Sequence, residues 1–95
     1  MTDVDAVGAD SREDVVRDEI SEFIKENFLY MRPDHVLQAD DELMTLALID
    51  SLGFVELVEE VQSRYGIDVQ DVEITEQNFG SVNAIVRFVG SKRAP

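Results

Sequence analysis

The chain contains no cysteine, and that excludes disulfide frameworks, thiolate nucleophiles and cysteine-based metal sites. Basic residues are scarce: 8 lysines and arginines stand against 21 acidic residues, for a formal net charge of -13. Long-range attraction therefore favours partners with basic surfaces and opposes nucleic acid and anionic membrane. No apolar run approaches the length of a membrane span, and the start, Met-Thr-Asp-Val-Asp, has neither the basic nor the apolar stretch of a signal peptide. The expected setting is cytoplasmic. Internal repeats, low-complexity blocks and strand-like alternation are also missing. At 95 residues the chain makes one domain that buries roughly 60 to 65% of its unfolded surface, so no deep substrate cavity is expected.

The apolar positions that are present recur at helical spacing. Residues 1–10 are small and acidic without apolar periodicity and read as a disordered tail. A single domain follows over residues 11–91, with residues 92–95 as a C-terminal tail. Val16, Ile20, Phe23, Ile24 and Phe28 predict a first helix over about residues 11 to 29, with Ser11 as its N-cap and Glu13 and Asp14 in its first turn. Met31-Arg32-Pro33-Asp34 breaks it. The long stretch to Asp50 has no clean period, and its Val36, Leu37, Leu43, Met44, Leu46 and Leu48 need apolar cover, so the loop is expected to lie across the bundle, with a short helical turn within 40–47. Phe54, Leu57, Val58, Val61 and Tyr65 then define one stripe of a helix over about residues 51 to 65, closed by Gly66. Leu52 and Val55 fall off the stripe beside Glu56, Glu59 and Glu60. Val72 and Ile74 sit on a short third helix or turn. Phe79 returns to the core, and Ser81 caps a last helix carrying Val82, Ile85, Val86 and Val89. The fold class is all-α, a small up-down bundle of three long helices and one short one with a long loop between the first two.

Ser51 is the one hydroxyl in an organised setting, and three roles are open to it. Either it or Asp50 can cap the free N–H groups of the helix. A nucleophilic role needs a base and an oxyanion hole; the only histidine, His35, lies in a loop, and the G-x-S-x-G elbow is absent. A third role is acceptor of a prosthetic group added by another enzyme, which needs exposure at a helix start and no base. Gly53, unusual in a first helical turn, reflects either tolerance near a helix end or close approach by a ligand or partner. A calcium-binding role fails on spacing, because Asp40-Asp41-Glu42 lacks alternating oxygen ligands and a central glycine.

The run Leu48-Ile49-Asp50-Ser51-Leu52-Gly53-Phe54-Val55-Glu56-Leu57-Val58 resembles the phosphopantetheine attachment signature of the acyl and peptidyl carrier proteins. The likeness continues through Tyr65-Gly66-Ile67-Asp68-Val69 and Asn78-Phe79-Gly80-Ser81-Val82-Asn83-Ala84-Ile85, covering roughly residues 13 to 90. The fatty-acid type usually has Leu-Gly-x before the Asp-Ser pair, where this chain has Ala47-Leu48-Ile49. The run is more similar to freestanding aminoacyl carriers, D-alanyl carriers and standalone carriers of polyketide or peptide assembly lines among them. The resemblance implies a non-enzymatic carrier whose Ser51 bears 4'-phosphopantetheine through a phosphodiester, with an acyl or aminoacyl group held as a thioester at the end of the arm. It implies three partners: a phosphopantetheinyl transferase, an adenylating ligase, and a downstream acyltransferase or synthase with a basic docking surface. Asp50 would help place the carrier against the transferase. Leu52, Gly53, Val55, Glu56, Glu59 and Glu60 would form the partner-binding face, apolar anchors in an acidic rim. The carrier is expected to be a monomer without a metal site. A fatty-acid carrier and a non-covalent acidic interaction module are the alternatives.

Overall fold

The computed structural model describes the backbone of residues 2–32 and 34–93, and within these ranges the side chains from Arg12 onward. Its elements are α1 (Thr2–Phe28), α2 (Ser51–Tyr65), a 3-10 turn (Asp71–Glu73), the short α3 (Glu76–Phe79) and α4 (Val82–Arg93). No strand occurs among the described residues. The molecule is thus all-α, with three long helices, one short helix and a long α1–α2 connection.

The predicted stripes are the ones that meet. Val16, Ile20 and Ile24 of α1, Leu57, Val58 and Val61 of α2, Phe79 of α3, and Val82, Ile85, Val86 and Val89 of α4 form one buried cluster. The helix stops follow from local chemistry. Gly66 takes φ 63° and ψ 38°, the left-handed conformation that costs glycine nothing, and its N–H donates to the Gln62 carbonyl. Ser81 Oγ accepts from Ala84 N at 3.1 Å and so caps α4. Thr75 caps α3 through Asn78 N. One side-chain network of two hydrogen bonds crosses between elements: Arg17 Nε donates to Asn83 Oδ1, and Asn83 Nδ2 to Asp40 Oδ1, tying α1, α4 and the long connection together.

Several boundaries and burials differ from the sequence-based expectation. The α1 backbone begins at Thr2, so Ser11 lies inside the helix instead of capping it; once a helix is nucleated, each added residue gains a hydrogen bond, and nothing between 2 and 11 breaks it. Met1 and the side chains of residues 2–11, where the sequence reading places a disordered tail over 1–10, lie outside the described residues. At the other end, Lys92 and Arg93 belong to α4 rather than to a tail, because Lys92 Nζ pairs with Glu73 Oε1 at 2.8 Å and Arg93 lies over the Tyr65 ring; residues 94–95 are outside the described set. In the connection, Leu43 and Leu48 are buried and Leu37 and Met44 pack on the core. Val36 and Leu46 remain exposed, against expectation. Residues 43–47 do form turns, with Leu46 N bonded to Glu42 O.

Candidate functional site at the start of helix α2

The segment before α2 is held from both sides, and that fixes where the Asp50–Ser51 pair sits. Leu43 N donates to Gly80 O at 2.8 Å, and Leu48 N and Ile49 N both donate to Leu43 O. The chain turns at Ala47, whose φ of 58° lies in the left-handed region, and this sends Leu48 and Ile49 into the core. Two consecutive buried anchors leave the next two residues at the surface.

Of these two, Asp50 is the cap. Its backbone is extended (φ -102°, ψ -174°), its Oδ1 accepts from Gly53 N at 2.8 Å, and its carbonyl accepts from Phe54 N. A carboxylate at this position also complements the positive end of the helix dipole. Ser51 is the first helical residue, exposed and uninvolved in the cap. Its hydroxyl is therefore free of the structural duty that could have explained it. His35 is engaged elsewhere, with Nε2 3.2 Å from Asp41 Oδ2, and among the described residues no base contacts Ser51. The same residues contain no group of three or more acids and histidines placed to hold a metal ion.

The predicted partner face is partly assembled. Leu52 is 70% and Val55 50% exposed, and Glu56 and Glu59 lie exposed beside them. Glu60 is half-buried and held by Arg64, whose Nη2 reaches Glu60 Oε2 at 2.6 Å. Gly53 does not join this face. It is buried, and a Cβ there would stand 2.9 Å from Phe28 Cε1 and 3.3 Å from Asp50 Oδ1. The missing side chain makes room for Phe28 of α1, not for a visitor. The contact joins residues far apart in sequence, so no local pattern could have shown it.

Met31 and Arg32, at the predicted helix break, and Tyr30 just before them line an open groove of about 320 Å³ together with Phe28, Ile49 and Asp50, a feature that no local pattern in the sequence shows. Val72 and Ile74 are exposed on and just after the 3-10 turn, and no periodicity distinguished them from core positions.

Comparisons with known proteins cover most of the chain. The family described as phosphopantetheine attachment site matches residues 14–89. The D-alanyl carrier protein of Streptococcus thermophilus (strain ATCC BAA-491 / LMD-9) is 33% identical over 78 residues, 82% of this chain and 95% of the relative. That of Streptococcus sanguinis (strain SK36) is 31% identical over the same shares of both chains. The D-alanyl carrier protein of Streptococcus suis (strain 98HAH33) is 31% identical over 74 residues, 78% of this chain and 90% of the relative. No solved structure gives a significant match.

Proposed function

This chain belongs to the phosphopantetheine attachment site family, and from that premise we propose that Ser51 is the attachment point of the 4'-phosphopantetheine arm of a freestanding aminoacyl or short-acyl carrier. Membership makes it a carrier protein and not an enzyme, with a covalent phosphopantetheine group and with transferases and ligases as its working partners. The observation that carries the assignment to Ser51 is the division of labour at the helix start: Asp50 supplies the cap, and the Ser51 hydroxyl is left exposed. The residues present fit the group. A phosphodiester on Ser51 Oγ would stand at the first helical residue, where the helix dipole favours negative charge. When bound, the arm supplies a terminal thiol that holds the cargo as a thioester, the one reactive sulfur of a cysteine-free chain.

An aminoacyl or short cargo is supported by the Leu48-Ile49 pair before Asp50 and by the printed names of the D-alanyl carrier relatives. It also agrees with the core, where Leu57, Val61, Phe79 and Ile85 are fully buried, so that a long acyl chain entering among them would have to displace close-packed side chains. The setting we propose is cytoplasmic, with a monomeric carrier loaded by an adenylating ligase and unloaded by an acyltransferase or synthase of polyketide or nonribosomal peptide biosynthesis. Leu52 and Val55 anchor these partners, Glu56 and Glu59 steer their basic surfaces, and Asp50 presents Ser51 to the transferase through the cap. Incubation with coenzyme A and a broad-specificity phosphopantetheinyl transferase tests the attachment. The expected outcome is an intact-mass gain of one phosphopantetheine that disappears in Ser51→Ala; a gain that survives the substitution overturns it.

A further inference from the structure

We propose that the arm carried by Ser51 folds back into the groove between the C-terminal end of α1 and the 47–50 segment, with Arg32 pairing its phosphodiester and Phe28, Tyr30, Met31 and Ile49 receiving its apolar part. The inference rests on the assignment of Ser51 above and says where the group goes once attached. Asp50, the residue before Ser51, is itself part of the groove wall, so the groove begins where the arm begins.

The groove walls suit that occupant in charge and in polarity. Met31 is 77% and Tyr30 68% exposed. Two large side chains left open side by side at the mouth of a concavity form a surface that gains from being covered. Arg32 shares the groove, and among the described residues its guanidinium has no ion-pair partner. In a chain of net charge -13 an uncommitted arginine is a scarce resource, and guanidinium matches phosphate oxygens in charge and fork geometry. The groove wall also holds one acid, Asp50, whose Oδ1 is directed to Gly53 N as the α2 cap. A volume of about 320 Å³ lies at the small end of the range for ligand sites. It holds part of an arm and leaves a small cargo at the open mouth.

The other exposed apolar residues of this end of α2, Leu52 and Val55, are not part of the groove wall.

Because the chain has no cysteine, the arm's thiol is the only site for a thiol-directed spin label. Complete priming is first established by intact mass; absence of a mass gain, or a gain retained in Ser51→Ala, removes the attachment reading and this proposal with it. With priming complete, ¹⁵N-labelled protein is compared with and without the nitroxide on the arm. Paramagnetic broadening is expected to be strongest at the amides of 27–32 and 47–50, and the apo-to-holo shift changes should fall on the same residues. Broadening centred on Leu52 to Glu59, or weak and spread over the whole surface, overturns the proposal. Arg32→Gln and Met31→Ser alter exposed side chains, and the same spectra report that the fold is kept. Both are expected to remove the broadening at 27–32; unchanged broadening in both variants likewise overturns it.

Discussion

At the start of α2 the carboxylate of Asp50 takes the Gly53 N–H at 2.8 Å, a bond that a serine hydroxyl could have taken instead, and so stability and chemistry fall on adjacent residues. Asp50→Ala is expected to lower unfolding free energy by about 0.5 to 2 kcal/mol, the usual range for a lost N-cap. Ser51→Ala should stay within about 0.5 kcal/mol of the parent, as exposed substitutions do. Urea denaturation of the two variants separates these outcomes; equal losses would return Ser51 to a structural role. Gly53 has a different kind of constraint. Alanine would gain up to about 1 kcal/mol in helix propensity, but its Cβ would stand 2.9 Å from the Phe28 ring, and overpacking of that kind costs about 1 to 3 kcal/mol. Net destabilisation is expected. The ring is itself packed edge-on against Phe23 at 5.8 Å between centroids, so it cannot swing freely away. Phe28→Leu should relieve the clash, and a double-mutant cycle between the two positions should show favourable coupling; additive losses would mean that Gly53 is needed for another reason.

Among the elements, α2 carries both the core stripe and the exposed face, and its sequence showed both because the two sets follow the helical period on different sides. Leu57, Val58 and Val61 are buried while Leu52, Val55, Glu56 and Glu59 are exposed, and the limits at Ser51 and Tyr65 coincide with Asp-Ser and Gly66 in the chain. What the sequence left open has a common physical origin. Asp and Ser are equally good caps, so the choice between them depends on how Leu48 and Ile49 anchor the preceding turn. The burial of Gly53 depends on a side chain in another helix, and Lys92 and Arg93 join the fold through Glu73 and Tyr65, partners far away in sequence. Local periodicity contains none of these contacts. For the exposed face the expected experiment is charge reversal. Glu56→Lys with Glu59→Lys should slow loading by the cognate adenylating ligase through a lower association rate, with the deficit shrinking as salt is raised. Glu60→Lys differs, because Glu60 is tied to Arg64 at 2.6 Å and its reversal also breaks an i,i+4 pair. Loading rates unchanged by the Glu56 and Glu59 reversals would take α2 out of the docking surface.

Across the whole molecule, three helices meet at Tyr65. Its hydroxyl donates to Glu19 Oε1 of α1 at 2.8 Å, and Arg93 of α4 lies 5.8 Å from the ring centroid. Burial is the main cause that raises the tyrosine pKa well above its ordinary 10.0, followed by the hydrogen bond to Glu19 and the charge of that carboxylate, while Arg64 and Arg93 act in the opposite direction. A phenolate would face a carboxylate of like charge and lose its role as donor. Because the folded state holds this proton more tightly than the unfolded chain, the contribution to stability is fully present below the unfolded pKa near 10 and is lost as pH rises through the raised folded value. The unfolded chain ionises first, and the folded state loses ground in that window. Glu73 works with the reverse sign: the bonds from Lys92 and from Gln70 N hold its carboxyl below the usual range, so its contribution is present above the unfolded carboxylate pKa and fades as pH falls through the lowered value. Tyr65→Phe keeps the ring under Arg93 and removes the titrating hydroxyl. Unfolding free energies measured by urea from pH 8 to pH 11 should therefore fall more steeply above about pH 10 in the parent than in Tyr65→Phe, so that the two curves converge. Curves that stay parallel across that range would mean that the Tyr65–Glu19 bond does not couple α1 to α2 in solution.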